Sequence, residues 1–235
     1  MNILVTGGAS GLGEAITRKL ASDSSNTVYF TFCNSLENSK KIEQLYSNTT
    51  GIKCDFTSIK SVELFIKQIE TINFQVLVNN AMTGFETNYF HKLSLDYFTN
   101  NFKTNILPTI LITQNFISNF RKNKSGKIIT ILSSYLEGNP PIGLSEYVAA
   151  KSYLSSLCKS WSVENMKYNI TSNCISPSFM RTPLNKDVDE RVIEEMENNL
   201  PSKKLLSVEE VAEKVNYLVN AGQEINGNFF LMNPS

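Results

Sequence analysis

The chain is short of several things that whole classes of function need. It holds one histidine, His91, in 235 residues, so neither a histidine-rich metal site nor a Ser-His-Asp triad is expected, and no metal is assigned. Its four cysteines, Cys33, Cys54, Cys158 and Cys174, show no C-x-x-C spacing and sit in apolar strand or helix patterns. They are expected to be buried free thiols in a reducing, cytoplasmic setting. Neither sign of charge is in excess, with 22 Lys plus Arg against 22 Asp plus Glu, which argues against nucleic acid or a membrane surface as partner. No apolar run is long enough to span a bilayer. Met1-Asn2 leads directly into an apolar strand, so no signal peptide is expected. Repeats, low-complexity blocks and Gly/Pro-rich linkers are missing as well. Residues 1–235 are therefore read as a single domain, with enough apolar residues for a well-buried core.

What is present is an alternation of short apolar runs with amphipathic helical stretches. Asn2 to Thr6 reads as a strand, followed by Thr6-Gly7-Gly8-Ala9-Ser10-Gly11-Leu12-Gly13 and a helix running to Ala21. Strand, glycine-rich turn and helix open a dinucleotide-binding βαβ unit, here with the spacing G-x-x-x-G-x-G. Gly7 permits the tight turn, Gly11 lets backbone approach a pyrophosphate, and Gly13 lets the helix pack on the strand. The phosphates then sit at the helix N-terminus, where free N–H groups favour anions. Thr27 to Phe32 is the second strand. Phe32-Cys33-Asn34-Ser35 follows, with no acid where an NAD-binding chain usually keeps one for the ribose hydroxyls. Nothing there repels a 2′-phosphate, so NADP(H) is expected to be preferred and NAD(H) tolerated. Ser10, Asn34, Ser35 and Lys40 or Lys41 are the expected phosphate neighbours.

Further strands are expected at Gly51 to Cys54, Phe74 to Val78, Gly126 to Ser133, Asn169 to Ile175 and Gly227 to Met232. Asp55 follows the third; it either accepts a hydrogen bond from an adenine amino group or caps the helix beginning near Ser58. Leu95 to Phe120 carries one long helical periodicity. Asn105 lies inside it near Pro108, where a loosened turn can free a carbonyl to bind water. Lys186 to Leu200 is charged and helical, a candidate cover, and Ser207-Val208-Glu209-Glu210 is a capping box opening the last long helix. The alternation implies an α/β fold, a doubly wound parallel sheet with helices on both faces and ligands at the carboxyl ends of the strands.

Two further residues carry chemistry. Tyr147 and Lys151, four apart on one helix, project from the same face. A free phenol is a poor proton donor at neutral pH, and a neighbouring ammonium is expected to lower its pKa toward the working range. Ser134, thirteen positions before Tyr147, supplies a hydroxyl to hold a carbonyl oxygen beside the phenol.

With Gly7/Gly11/Gly13, Asn79-Asn80-Ala81, Asn105, Ser134, Tyr147, Lys151 and Pro177 to Thr182 in this order, the chain resembles the short-chain dehydrogenase/reductases over essentially its whole length. The resemblance implies a Rossmann domain of about seven strands. It implies Tyr147 as general acid/base, Lys151 on the nicotinamide ribose, Ser134 on the substrate carbonyl and Asn105 anchoring a water in a proton relay. The implied cofactor residues are Gly7, Ser10, Gly11, Leu12, Gly13, Cys33, Asn34, Asp55, Phe56, Asn80, Ala81, Tyr147, Lys151, Pro177, Met180 and Thr182. A homodimer or homotetramer is implied too. Two departures stand out: Met82 replaces the glycine that usually ends Asn-Asn-Ala-Gly, and Ser178 the glycine after Pro177.

Within the family the chain is most similar to 3-oxoacyl-carrier-protein reductases, which implies a carbonyl reductase acting on a 3-oxoacyl thioester or related ketone. An acidic acyl carrier protein would dock on Arg121, Lys122, Lys124, Lys127 and Lys167, residues that equally describe a solvated basic turn. The alternatives are a sugar or polyol dehydrogenase and a non-catalytic dinucleotide-binding regulator.

Overall fold

The computed structural model describes residues 1–234. Seven strands, β1 (Asn2–Val5), β2 (Thr27–Phe32), β3 (Thr49–Lys53), β4 (Val76–Asn79), β5 (Gly126–Ile131), β6 (Ile170–Pro177) and β7 (Phe229–Met232), form one parallel sheet ordered β3-β2-β1-β4-β5-β6-β7. The central strands read as unbroken apolar runs because helices cover both faces. Ile3, Leu4, Val5, Val76, Leu77 and Val78 are all fully buried.

Alternate residues serve two cores. Ile3, Val5, Val76 and Val78 pack with α1 (Gly11–Ala21) and α8 (Val208–Asn220). Leu4 and Leu77 pack on the other face with residues of α3 (Ile59–Gln68), α5 (Leu107–Asn123) and α6 (Ser145–Asn165). Strand order reverses between β1 and β4, which opens a crevice at the carboxyl ends of the strands. The other helices are α2 (Leu36–Leu45), α4 (Leu95–Asn101) and α7 (Glu190–Asn198), the last inside the expected cover.

The single helix expected from Leu95 to Phe120 is in fact two, α4 and α5, joined by a π-helical turn over Phe102–Ile106. Apolar periodicity survives such a turn, so the break is invisible to a pattern argument. Pro108, which cannot donate a backbone hydrogen bond, enters at the first turn of α5, where a missing N–H costs least. The capping box is formed: the Glu210 N–H donates to Ser207 Oγ at 3.2 Å, and the Ser207 N–H donates to Glu210 Oε2 at 2.8 Å. Cys54, Cys158 and Cys174 are buried free thiols, while Cys33 is only partly covered. No helix among the described residues is long and apolar enough to cross a membrane.

Candidate active site

A cavity of about 820 Å³ runs along the carboxyl ends of the strands, from Asn34 and Asp55 at one end to Tyr147 and Met196 at the other. Every residue expected to meet the cofactor lines it. The glycine turn explains why backbone can form its floor. Gly7 has φ of 65°, and a Cβ on Gly13 would collide with the Gly7 carbonyl and the Asn80 side chain. Asn80 closes this corner: its Nδ2 donates to the Thr6 carbonyl at 2.9 Å, while its own N–H and that of Ala81 donate to Thr6 Oγ1 at 2.9 and 3.0 Å. Asn80 thus ties the end of β4 to the end of β1. Above Gly11 lies Pro183, 3.1 Å from where a Cβ would stand, so the segment after β6 closes onto the turn.

At the far end, the two readings of Asp55 separate. Ser58 caps α3, accepting from the Ser61 N–H at 3.3 Å. Asp55 instead accepts from the N–H and hydroxyl of Thr57 at 2.9 and 2.7 Å, bonds that hold its carboxyl below the usual range while it faces the cavity. Asn34 and Ser35 border both this cavity and an adjoining pocket that Lys41 also lines. Lys40 lines neither. Ser10 precedes α1 with its hydroxyl making no capping bond.

At the reaction end, α6 presents Tyr147 and Lys151 together. Lys151 is buried, 6% exposed, and its Nζ donates to the Ile131 carbonyl at 2.9 Å. Burial pulls its pKa down from 10.5 to about 8, with the thiols of Cys158 and Cys174 opposing. The expected lowering of the Tyr147 pKa is not what the structure gives. Burial pushes the phenol up, only partly countered by the Ser133 hydroxyl. The physical reasons are packing and distance. Phe85 and Tyr135 flank the phenol with ring centroids 4.7 and 6.5 Å away, and the Lys151 ammonium, bonded to Ile131, stands 5.9 Å from the ring centre.

The expected serine is displaced by one residue. Ser133, 4% exposed, lines the cavity with its hydroxyl at Tyr147. Ser134 opens the 3-10 turn Ser134–Leu136 and does not line the cavity. Successive residues leaving a strand point to opposite sides, so counting thirteen back from Tyr147 lands on the wrong face when the connecting loop is one residue longer.

Asn105 is also off the cavity. It is buried in the π-helical turn, where its Oδ1 accepts from the N–H and hydroxyl of Thr83 at 2.7 and 3.0 Å. Its Nδ2 donates to Asn101 Oδ1 at 3.0 Å, and its main-chain carbonyl accepts from the Thr109 hydroxyl at 3.1 Å. The side chain therefore anchors the segment after β4.

The basic cluster is only partly available. Lys127 turns inward, and its Nζ donates to the carbonyls of Val219 and Ala221 at 2.6 and 2.5 Å, closing the end of α8. Arg121 bonds Asn165 at 2.7 Å and stands over the Tyr168 ring at 5.0 Å. A cation beside the carboxyl end of a helix satisfies its last carbonyls, which is the stronger call on Lys127.

Residues 1–193 match the model of the family described as short chain dehydrogenase. A 3-oxoacyl-[acyl-carrier-protein] reductase of Aquifex aeolicus is 28% identical over 242 residues, covering 97% of this chain and 96% of that protein. The fold is shared with an actinorhodin polyketide ketoreductase solved with NADPH (TM-score 0.88, 21% identity, 99% of this chain and 95% of that one). It is shared equally with a 3-ketoacyl-(acyl-carrier-protein) reductase from Brucella melitensis solved with NADH (TM-score 0.89, 20% identity, 99% and 96%).

Proposed function

The chain belongs to the short chain dehydrogenase family, and from that premise we propose that it reduces a 3-oxoacyl thioester or a related ketone, with NADPH preferred over NADH. At the coarser level it is an oxidoreductase that interconverts C=O and CH–OH with a nicotinamide dinucleotide. The single observation that carries the reading is the convergence of Ser133, Tyr147 and Lys151 at one end of a cavity whose other end is a glycine turn. The cradle fits the cofactor: Gly13 lacks the Cβ that would fill it, Ser10 has a spare hydroxyl, and no carboxylate side chain occurs from Phe32 to Leu36. Gly7, Ser10, Gly11 and Asn34 would hold the phosphates, Asp55 the adenine, and Tyr147 with Lys151 the nicotinamide ribose.

The bound dinucleotide supplies the hydride. The protein supplies the rest. Ser133 and Tyr147 hold the carbonyl oxygen, and Tyr147 gives its phenolic proton to the alkoxide as charge develops. Lys151, kept close by its bond to Ile131, stabilises the phenolate left behind, and Asn105 anchors the route by which solvent refills it. Phe85, Tyr135, Ile142 and Phe179 line the substrate end and exclude water. The chain pairs with copies of itself through Phe90, Leu95, Phe102 and Tyr153, which are exposed on or beside α4 and α6.

Carrier presentation meets a geometric condition. Lys122, Lys124 and Lys167 make no ion pair among the described residues, and they lie next to the amino ends of β5 and β6, away from the cavity. A carrier docked there would serve the cavity of another copy. The test is NADPH oxidation by purified protein given a 3-oxoacyl thioester on a carrier, the same thioester free, and sugars or polyols with NAD. Turnover with the thioesters supports the reading. Turnover confined to sugars or polyols replaces it with a polyol dehydrogenase.

A further inference from the structure

Glu146, the residue before Tyr147, is a carboxyl group in an unusual position. It is 5% exposed, its Oε2 has no hydrogen-bond partner, and it takes part in no ion pair among the described residues. One residue along α6 is a rotation of about 100°, so Glu146 points away from the cavity that Tyr147 and Lys151 line. Its neighbour there is Tyr97 of α4, whose acidity the Glu146 charge suppresses. The Tyr97 hydroxyl accepts from the Glu86 N–H at 2.7 Å and also meets the Asn101 side chain. Asn101 in turn accepts from Asn105 at 3.0 Å. Glu146, Tyr97, Asn101 and Asn105 therefore form a run of polar groups from α6 across α4 into the π-helical turn. The titratable groups around Glu146 are Tyr97 on α4, Glu86 in the segment after β4 and Tyr147 on its own helix; no cation is among them.

A buried carboxyl with neither cation nor full hydrogen bonding is costly to keep, and a glutamine would fill the same space more cheaply. Burial raises its pKa from 4.5 to about 7, so it can both hold and release a proton near neutrality.

We propose that Glu146 is the proton reservoir of the reaction, refilling Tyr147 through the polar groups at the π-helical turn. The proposal rests on the reductase reading above and deepens it. In reduction the phenolic O–H bond of Tyr147 breaks and its proton goes to the alkoxide oxygen. The phenolate regains a proton by way of Lys151. The Glu146 O–H bond breaks to supply that proton through Tyr97 and water held at the turn, leaving a carboxylate that solvent reprotonates. In oxidation every transfer reverses. Glu146 touches no substrate and acts only through Tyr147.

The test compares wild type with Glu146→Gln and Glu146→Asp. Two readouts are taken: the pH profile of kcat and KM for ketone reduction, and the pH dependence of Tm without substrate. Expected is a break near pH 7 in the wild-type kcat profile. Glu146→Gln should abolish that break and lower kcat about tenfold at unchanged KM, with Glu146→Asp restoring part of the rate. A folded-state pKa above the unfolded value means that stability from this group is full below about pH 4.5 and lost as pH rises toward 7. The wild-type Tm should therefore fall through that window relative to Glu146→Gln. A Glu146→Gln enzyme with the wild-type pH profile and kcat within about twofold overturns the proposal. So does a Tm difference that stays flat with pH. If no ketone is reduced by any variant while the Tm window appears, the failure lies with the reductase reading, and the reservoir role goes with it.

Discussion

Ser133→Ala and Ser134→Ala should separate cleanly, because only one of these adjacent hydroxyls faces the chemistry. Ser133 is 4% exposed, lines the cavity and opposes the rise in the Tyr147 pKa, whereas Ser134 lies off the cavity. In the reaction proposed, the Ser133 hydroxyl donates to an oxygen that becomes negatively charged. Removing one such donor from a water-poor site costs about 3 kcal/mol, or 10²–10³ in kcat. Ser133 Oγ also accepts from the Tyr135 N–H at 3.3 Å, at the edge of hydrogen-bonding distance, so its loss should cost stability only about 0.5–1 kcal/mol. Ser134→Ala should change kcat less than about threefold, since surface-type substitutions rarely disturb a site they do not line. Steady-state NADPH oxidation, with nucleotide affinity measured separately by fluorescence, reads both effects. A Ser134→Ala enzyme that loses as much as the Ser133→Ala enzyme would refute the assignment of the hydroxyl to Ser133.

Three other outcomes are expected. Tyr147→Phe keeps the ring against Phe85 but removes the proton, so turnover should fall at least ~10²-fold while nucleotide still binds; near-normal turnover would sink the mechanism. Lys151→Met should abolish activity yet raise Tm at pH 7 by the equivalent of ~1–2 kcal/mol, the relieved burial of a charge less the lost bond to Ile131. Since the folded pKa of Lys151 is depressed, its penalty is full below about pH 8 and disappears as pH rises to 10.5, so the two Tm curves should converge there. Met82→Gly should tighten NADPH binding, because a side chain lines the cavity where relatives of this fold keep backbone alone; an unchanged or weaker Kd would show that the segment has already adapted.

What could be read in the sequence, and what could not, follows from how many elements make each feature. The sheet was legible because strands buried on both faces must be apolar at every position, as Ile3-Leu4-Val5 and Val76-Leu77-Val78 are. The glycine turn was legible because its sterics are local: a Cβ at Gly13 meets Gly7, six residues away. Tyr147 and Lys151 share one helix, so their spacing alone sets their common face. Ser133 belongs to a different element from the tyrosine it serves, and the loop between them can change length without altering either motif. A count of residues therefore missed it by one, while the burial of Ser133 identifies it.

Lys127 failed for a related reason. Its sequence neighbours make a basic turn, but the direction of a long flexible side chain was decided by the carbonyls of α8, ninety-two and ninety-four residues away. Asn105 was anticipated in a loosened turn, yet the asparagine side chain proves to anchor Thr83, a contact across β4 and α5 that no local pattern encodes. Glu146 is the extreme case, since a glutamate in the first turn of a helix reads as a favourable surface charge. Only the packing of α4 over α6 turns it into a buried acid. Chemistry carried by one element is thus written in spacing, while chemistry made where two elements meet is written in loop length and packing. The serine substitutions test that distinction at a single position.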